Sequence, residues 1–443
     1  MTTHSENARQ WVHIASGGFA FLLRDLTWVQ AASLAAAALA FNVLVLPHIG
    51  GRRLYRPVDE ARGFPLGILL YPLAVLLLVI VFPNRLDIVS AAWGILAFGD
   101  GMATLAGKWI GGTRWPWNRE KTIAGTIGFA ACGAAGASVL VWWIRPTVAP
   151  VPSWWFALLA PPAAAVVAAM VETMPARLDD NISVPISAAG ILWLASLVSA
   201  DAVRQAQPAV TAALPWALAA NVLVAWTARR AGAVSGAGAM AGALLGTAVY
   251  AAAGWPAWLL LLATFVIVSV ASRIGLQRKV LLGIEEEREG RRGAGNAIAN
   301  CGVAAAAALA VSATPHHTGA LLALVAALTA AGSDTVASEI GKVWGRTTCL
   351  VTTLRRVKPG TPGAVSLEGT AAGVVGALAL AALAHLLGLI AWAMIPVVVL
   401  AATLGAFVES LLSATLEGPG ILDNDMLNFI NTAVAAAVAL AIA

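Results

Sequence analysis

Two stretches of this 443-residue chain place carboxylates, lysines and glycines at the same spacing. The first begins at Asp100 in DGMATLAGK, and the second begins at Asp334 in DTVASEIGK. Both read Asp-x-x-Ala-x-x-x-Gly-Lys, and each is followed by a Gly-Thr pair, Gly125-Thr126 or Gly369-Thr370. Carboxylates can hold metal ions, whereas lysines and the N–H groups at the start of a helix bind phosphate oxygens. The duplicated stretch therefore predicts two related phosphate and metal sites.

The composition places these sites in a membrane protein. The chain is 60% hydrophobic and 11% charged, and its mean hydropathy is +0.82, outside the usual range of soluble domains. The sequence predicts an all-α, polytopic membrane protein of about 14–15 transmembrane helices in two parallel, related halves. The predicted spans are residues 28–47, 64–82, 88–107, 123–144, 153–172, 185–200, 212–228, 234–253, 257–273, 295–312, 319–338, 364–387, 394–413 and 427–442, with a further apolar segment at 11–23.

The basic residues collect on one side of the predicted topology. If the spans alternate, most of the 27 Lys and Arg residues fall in loops on a single face. The opposite face keeps Arg24, Arg85, Arg145 and Arg204. Loops rich in Lys and Arg stay in the cytoplasm, so we expect a multi-pass protein of the cell (inner or plasma) membrane with cytoplasmic active-site loops. The basic loops lack interleaved aromatic residues, which argues against nucleic-acid binding.

Each half also contains an acidic turn between two spans. Glu172 ends a span in the first half, and Glu409 ends a span in the second. The turns that follow contain Asp179, Asp180 and Asn181 in the first half, and Asp423, Asn424, Asp425 and Asn428 in the second. Oxygen-rich turns of this kind suit Mg²⁺, which takes carboxylates together with phosphate oxygens. Helix capping is the alternative role for the same Asp and Asn residues.

Two further features leave a choice between structural and functional roles. Arg291 and Arg292 precede an apolar helix in which Asn296 and Asn300 lie one turn apart on one face. These asparagines either hydrogen-bond between helices or contact a substrate or nucleotide. His13 is either an interfacial residue or part of a site. The three cysteines have no paired spacing, so neither a disulfide framework nor a zinc site is predicted.

Longer strings of the sequence resemble two known families. The first half resembles the phytol kinase and dolichol kinase group of CTP-dependent polyprenol kinases, related to the phosphatidate cytidylyltransferases. His13, FGDGMATLAGKWIGG, EKTIAGT and VETMPARLDDNISVP carry that resemblance. The second half is similar to the DUF92 integral membrane family, which includes phytyl-phosphate kinase. GAMAGALLGT, GRRGAGNAIAN, GSDTVASEIGK, VKPGTPGAVSLEGT and LDNDMLNFINT carry the second resemblance.

The resemblance implies a fusion of two consecutive kinases in isoprenoid alcohol salvage. Residues 1–208 would phosphorylate a prenol such as phytol or geranylgeraniol with CTP or another nucleoside triphosphate, and residues 209–443 would convert the monophosphate to the diphosphate. Mg²⁺ is the implied cofactor. The implied partners are the prenyl alcohol, the prenyl monophosphate, the nucleotide and the lipid bilayer, and a homodimer stays open. Two other classes stay open as well: a CDP-lipid cytidylyltransferase, and a transporter with parallel repeats and buried carboxylates.

Phosphoryl transfer mainly requires alignment of the reactants and neutralisation of charge. The chain has no Gly-x-x-x-x-Gly-Lys-Ser/Thr sequence, which excludes a P-loop enzyme. The predicted catalytic residues are Asp100, Asp334, Lys108 and Lys342. The predicted nucleotide- and phosphate-binding residues are Lys121, Gly125, Thr126, Arg291, Arg292, Asn296, Lys358, Gly360, Thr361, Ser366, Gly369 and Thr370. The predicted metal ligands are Asp100, Glu172, Asp180, Asn181, Asp334, Glu339, Glu409, Asn424 and Asp425.

A prenyl substrate would keep its apolar chain in the bilayer. Burial of each methylene is favourable by about 0.8 kcal/mol, so only the hydroxyl or phosphate should reach the polar loops. We expect the chain to lie between helices that present small side chains. Residues 91–97 and 323–330, rich in alanine and next to the two aspartates, are the predicted lining of this path.

Overall fold

The computed structural model of the chain describes residues 6–48, 66–174, 179–275 and 292–443, with side chains from Gln10 onward. They form two compact units, Met1–Ser196 and Leu197–Ala443. Within the described ranges, ten helices are long and apolar enough to cross a membrane, which confirms the predicted all-α, polytopic fold. The predicted division after residue 208 lies inside the helix Ala200–Arg230, and the assignment of one activity to each half stays a prediction.

The first unit contains helices α1 to α8. They are α1 Glu6–Ser16, α2 Trp28–Leu44, α3 Leu66–Val81, α4 Leu86–Gly94, α5 Gly101–Ile110, α6 Ile123–Ile144, α7 Trp154–Glu172 and α8 Asp180–Ser196. A 3₁₀ helix, Gly17–Arg24, follows α1. A π-helical turn, Ile95–Asp100, joins α4 to α5 and ends at the first motif aspartate. Such turns inside α-helices occur frequently at functional sites.

The second unit contains helices α9 to α15 and a small hairpin. They are α9 Ala200–Arg230, α10 Gly236–Arg273, α11 Ala294–Ala313, α12 His317–Trp344, β1 Thr348–Leu350, β2 Ala364–Ser366, α13 Leu367–Leu386, α14 Ile395–Leu412 and α15 Asn424–Ile442. Strands β1 and β2 pair antiparallel, with Thr348 opposite Ser366. A π-helical turn, Ser413–Glu417, follows α14.

Helix α10 is a hairpin of two antiparallel arms. A straight helix of its 38 residues would be about 57 Å long. Gly254 instead breaks the helix, with φ 86° and ψ 169°, and Arg273 Nη2 at the end of α10 donates a hydrogen bond to Ala231 O, just before its start, at 3.2 Å. The sequence correctly predicts two spans here, residues 234–253 and 257–273. We call residues 236–253 and 255–273 the first and second arms of α10.

The most enclosed span of each unit carries the motif aspartate. In both Leu86–Ile110 and His317–Trp344, 72% of the most apolar 18-residue stretch is buried inside the protein. The corresponding share in the other spans is 11–44%. The predicted path for a prenyl chain along residues 91–97 and 323–330 is therefore wrong. The alanines there are at most 6% exposed, because these helices lie at the centre of their units and other helices cover the small side chains.

Both units contain the same close crossing of two helices. In the first unit, a Cβ on Gly125 would lie 2.8 Å from Ala103 O and 3.6 Å from Gly107 Cα. In the second unit, a Cβ on Gly369 would lie 2.6 Å from Ala337 O and 3.1 Å from Gly341 Cα. The repeated alanine and glycines therefore let α6 pack on α5, and α13 pack on α12, with almost no space between the backbones.

This crossing predicts a strong difference between two glycines of α13. Gly369→Ala should destabilise the protein by about 2 kcal/mol, because the new methyl group overlaps the Ala337 carbonyl. Gly376→Ala is the matched control, since its Cβ would make an ordinary contact of 3.6 Å with Val336 and alanine is the better helix former. Thermal unfolding in detergent should show a lower Tm for the first variant alone. Equal Tm values for the two variants would contradict the crossing.

Candidate functional site

Three carboxylates of the first unit, each at the beginning or end of a helical element, lie close together. Asp100 lies at the end of the π-helical turn, Glu172 is the last residue of α7, and Asp180 is the first residue of α8. One ligand oxygen from each can be chosen so that all three lie within 4.8 Å of one another. Of the described residues, this is the one group of three His, Cys, Asp or Glu side chains with metal-binding spacing. Three of the predicted ligands are therefore brought together.

Lys121 lies among these carboxylates. Its ammonium group donates to Glu172 Oε1 and, at 3.1 Å, to Asp180 Oδ2. Burial by itself disfavours the charged ammonium, but the carboxylates of Asp180 and Glu172 outweigh burial and raise the pKa of Lys121 above its usual range. Lys121 therefore stays charged at physiological pH and neutralises one of the three acidic groups.

A short loop holds Lys121 in place. Residues 111–122, which we call the first strap, connect α5 to α6, and Arg114 bridges to Thr122 in antiparallel fashion. Trp117 Nε1 donates to Thr173 Oγ1 at 3.3 Å, and Asn118 Nδ2 donates to Thr173 O at 3.2 Å. These bonds tie the first strap to the end of α7, next to Glu172.

His13 reaches the same cluster from α1. Its Nε2 atom lies 3.6 Å from Asp100 Oδ2 and 3.1 Å from Leu96 O. The ring packs edge-on against the Tyr71 ring, with centroids 4.7 Å apart. The sequence left the role of His13 open, and the structure places it beside the first motif aspartate.

A half-buried network of hydroxyl groups lies next to His13. Trp93 Nε1 donates to the Tyr71 hydroxyl at 2.7 Å, and Ser16 Oγ donates to the same oxygen at 2.9 Å. Tyr71, Trp93 and Ser16 are not among the predicted site residues. Tyr71 is one of three tyrosines in the chain and lies in an otherwise apolar helix, where its hydroxyl needs a hydrogen-bond partner. The single tyrosine hydroxyl in an apolar helix was the sequence feature that could have indicated this network.

The residues of the acidic turn in the first unit have two different roles: some cap α8, and one belongs to the carboxylate cluster around Lys121. Asp179 Oδ1 accepts hydrogen bonds from the Asn181 backbone N–H at 3.0 Å and from Asn181 Nδ2 at 2.7 Å. Asp179 and Asn181 therefore form the start of α8, whereas Asp180 faces Lys121. In the second unit Asp423 caps α15 by accepting from the Met426 N–H at 2.8 Å.

Alignment of the two caps shows how the acidic turns correspond. Asp179 matches Asp423, so Asp180 matches Asn424, and Asp425 matches Asn181. Asn424 is exposed. Asp425 contacts the first turn of α11, where a Cβ on Gly295 would overlap its Oδ2 atom.

The second unit assembles its own acidic cluster around Lys342. Asp334 and Glu409 are hydrogen-bonded to each other. Lys342 Nζ donates to Glu339 Oε1 at 2.8 Å and interacts electrostatically with both members of the pair. Two carboxyl groups in contact repel unless a proton or a cation lies between them. Glu417 adds further negative charge near Glu409.

The cation comes from a different element in each unit. Lys121 lies on the first strap, whereas Lys342 lies on α12, the helix that carries Asp334. Lys108, which matches Lys342 in the sequence repeat, is exposed on α5 and makes no ion pair within the described ranges. The predicted catalytic role of Lys108 is therefore not supported, because no contact joins its ammonium group to the carboxylates in the described ranges.

The glycine and threonine N–H groups predicted to bind phosphate have other partners. Thr122 Oγ1 accepts from the Gly125 N–H at 3.1 Å, and Thr122 O accepts from the Thr126 N–H at 3.0 Å. In the second unit, Ser366 Oγ accepts from the Gly369 N–H, again at 3.1 Å. Thr122 and Ser366 thus cap α6 and α13. This correction applies to Gly125, Thr126, Ser366 and Gly369.

The remaining predicted phosphate ligands of the second unit lie at or near the surface. Residues 345–366, which we call the second strap, connect α12 to α13. Thr348 pairs with Ser366 in this strap, and the segment between these two residues is ten residues longer than the segment between Arg114 and Thr122 in the first strap. Lys358, Gly360 and Thr370 are exposed. The Thr361 N–H and Oγ1 both donate to Lys358 O, at 3.2 and 2.7 Å. These contacts form a turn and do not reach Asp334.

Arg292 and Asn296 lie where α11 begins. Arg292 Nη2 donates to Ser272 Oγ at 3.0 Å, and its Nη1 lies 3.5 Å from Asn296 Oδ1. Asn300 Nδ2 donates to Asn296 O at 2.9 Å. The Asn300 side chain is thus engaged within its own helix, whereas the Asn296 side chain accepts from Arg292, just before the helix begins. Arg291 lies outside the described residues.

Comparison with known proteins identifies the family. The sequence profile of the integral membrane protein family DUF92 matches residues 219–436. An uncharacterised membrane protein of Synechocystis, sll0875, is 43% identical over 202 residues, which cover 45% of this chain and 78% of that protein. The chain belongs to the DUF92 family. The residues that match the DUF92 profile lie within the second unit, which also contains Asp334 and its acidic cluster.

Other relatives carry more informative names. Protein VTE6 of Arabidopsis thaliana, a chloroplast protein, is 37% identical to the DUF92 protein over 214 residues, or 47% of this chain and 64% of VTE6. Probable phytol kinase 3 of Glycine max is 32% identical over 123 residues, or 27% of this chain and 38% of that protein. No solved structure matches the chain.

Proposed function

We propose that this protein is a membrane-embedded kinase of isoprenoid alcohols with one site in each unit. The first site phosphorylates a prenol with CTP or another nucleoside triphosphate, and the second converts the prenyl monophosphate to the diphosphate. The similarity to proteins named phytol kinase supports the reaction class. The observation that carries the proposal is the recurrence, in each unit, of three carboxylates around one lysine beside a glycine helix crossing.

The first site suits a divalent cation. Lys121 neutralises one of the carboxylates of Asp100, Glu172 and Asp180, so two negative charges are left within 4.8 Å for an ion with oxygen ligands. These three residues would hold Mg²⁺, which when bound supplies positive charge to the phosphate oxygens. In this proposal Asp100, whose Oδ2 lies 3.6 Å from His13 Nε2, would accept the proton of the prenol hydroxyl.

The second site uses the same groups differently. The Asp334–Glu409 pair is the proposed place for a cation, because two carboxyl groups in contact require positive charge or a proton. Lys342 is held by Glu339, one turn along α12, and would bind a phosphate oxygen of the nucleotide as a point charge. No hydroxyl has to be deprotonated at this site, since a prenyl monophosphate already carries a nucleophilic oxygen.

A single assay tests the proposed reaction. Purified protein is incubated with Mg²⁺, geranylgeraniol and CTP labelled at the γ-phosphate. Transfer of the label to lipid with release of CDP supports the kinase. Release of pyrophosphate would instead indicate a CDP-lipid cytidylyltransferase, and absence of turnover with every nucleoside triphosphate would favour a transporter. Either of these last outcomes contradicts the proposal.

The proposed location is a cell membrane with both sites facing the cytoplasm. In a variant lacking the three native cysteines, single cysteines at positions 121, 180, 358 and 425 should react with an impermeant maleimide only after the cells are opened. A cysteine at position 145, on the opposite predicted face, is the control that should react in intact cells. Labelling of any of the first four positions from outside would overturn the shared cytoplasmic face. Arg291 belongs to the same predicted face but lies outside the described residues.

A further inference from the structure

The second unit contains a narrow cavity between α9, α11 and the two arms of α10. Its volume is about 120 Å³. Gly242, Leu261 and Phe265 are among the apolar residues along its wall. It extends along the second arm from Val268 to Trp258, about 15 Å at 1.5 Å per residue. That length is about half of the hydrocarbon thickness of a bilayer.

The two ends of the cavity differ in chemistry. At one end lie Arg292 and Asn296, at the start of α11, where the helix dipole favours an anion. At the other end Asn221 Oδ1 accepts a hydrogen bond from Trp258 Nε1 at 3.0 Å, and Asn221 Nδ2 donates to Ala217 O at 2.8 Å. The cavity therefore has one cationic end, at Arg292, and one uncharged end, at Asn221.

The first arm of α10 has open space at Gly242 but close contacts at Gly238 and Gly246, one turn away on either side. A Cβ on Gly238 would overlap Arg292 O, and a Cβ on Gly246 would overlap Asn221 Oδ1. Between these two contacts, a Cβ on Gly242 would meet no atom within 4 Å. The first arm thus touches its neighbours one turn above and one turn below an opening.

We propose that this cavity binds the isoprenoid chain of a prenyl monophosphate, with the phosphate at Arg292 and Asn296. The proposal rests on the function proposed above for the second unit. A cavity of about 120 Å³ with apolar walls and one cationic end suits part of a single isoprenoid chain that carries an anionic head group. The rest of the chain would extend into the bilayer.

Photolabelling tests the cavity without requiring catalysis. The probe is geranylgeranyl monophosphate with a diazirine on its chain, added to the purified full-length protein in detergent. We expect the label on peptides of α9, α10 and α11. Unlabelled geranylgeranyl monophosphate should compete, whereas phosphatidylglycerol should not. Labelling confined to other helices, or competition by phosphatidylglycerol alone, would overturn the proposal.

Filling the opening provides the matched comparison. Gly242→Leu should reduce cavity labelling about tenfold, equivalent to about 1.4 kcal/mol of binding, and Gly242→Val gives a smaller second variant if leucine impairs folding. Gly190→Leu is the control, because Gly190 lies in a helix of the first unit where a Cβ also meets nothing within 4 Å. Unchanged labelling in a folded Gly242 variant refutes the cavity. If the wild-type protein transfers no phosphate but Gly242→Leu still reduces labelling, the cavity proposal is supported and only the proposed kinase activity is refuted.

A second comparison tests the polar end. Arg292→Gln should weaken labelling by the monophosphate probe while leaving labelling by the corresponding diazirine alcohol within about twofold, because a charge-assisted hydrogen bond is lost only with the phosphate. Equal weakening with both probes would show that Arg292 supports only the packing of α11 and would overturn its proposed role.

Discussion

Asp100→Asn should abolish formation of prenyl monophosphate from the alcohol, by about a thousandfold, while conversion of supplied monophosphate to diphosphate continues. Asp334→Asn should show the reverse pattern. Each aspartate lies on the central helix of its own unit, with its own lysine and its own glutamate. The asparagine side chain keeps the size of the residue but removes the negative charge on which a cation or a hydroxyl depends. Separate assays with alcohol and with monophosphate measure the two activities.

The two variants control for each other, and a third guards against general effects of removing an acidic group. Asp201→Asn removes an exposed carboxylate that pairs with Arg204 at 3.2 Å on the surface of α9, so both activities should remain. The two-site proposal fails if either active-site variant, shown to be folded, loses both reactions together.

Lys121→Met should cost about 3 kcal/mol of stability in addition to the first activity. Removal of the ammonium leaves Glu172, which is 4% exposed, and Asp180 without their shared cation, and an uncompensated buried charge is strongly destabilising. Lys108→Met is the matched control, because Lys108 is exposed and makes no ion pair in the described ranges. Its effect should stay within about 0.5 kcal/mol. Thermal unfolding in detergent measures both.

The pH dependence of the same pair of variants follows from the raised pKa of Lys121. A lysine with a raised pKa stabilises the folded state fully below its ordinary pKa and loses this effect only as the pH rises through the folded value. The wild type should therefore keep the contribution throughout the neutral range. The deficit of Lys121→Met should shrink as the pH falls, because protonation removes the uncompensated charge of the carboxylates. A deficit that is constant between neutral and acidic pH would argue against this ion pair.

Much of the fold could be predicted because its causes are local in the sequence. Long apolar runs specify spans, and the break at Gly254 was visible as a gap between two predicted spans. The duplicated Ala and Gly positions were also visible, but their physical role was assigned incorrectly. Their spacing is required by helix crossings, in which Gly125 and Gly369 lie against backbone atoms, and a sequence repeat does not distinguish close packing from phosphate binding.

The site residues were harder to predict where the two units differ in loop length. The sequence repeat equates Lys108 with Lys342, yet only the second lysine faces carboxylates. The first unit obtains its cation from Lys121, whose proximity to Glu172 depends on how the first strap folds back. Likewise, Asp180 and Asp425 lie in turns of similar composition, and only the capping bonds of Asp179 and Asp423 show that Asp180 corresponds to Asn424.

The two elements that carry the lysines differ in how freely they can move. Lys342 belongs to the most enclosed helix of its unit, so its charge stays beside Asp334 whatever the second strap does. Lys121 belongs to a loop that Trp117 and Asn118 fasten to Thr173. The charge balance of the first site therefore depends on the position of one loop, because Lys121 contacts both Glu172 and Asp180. The charge balance of the second site depends instead on the helix that also carries Asp334.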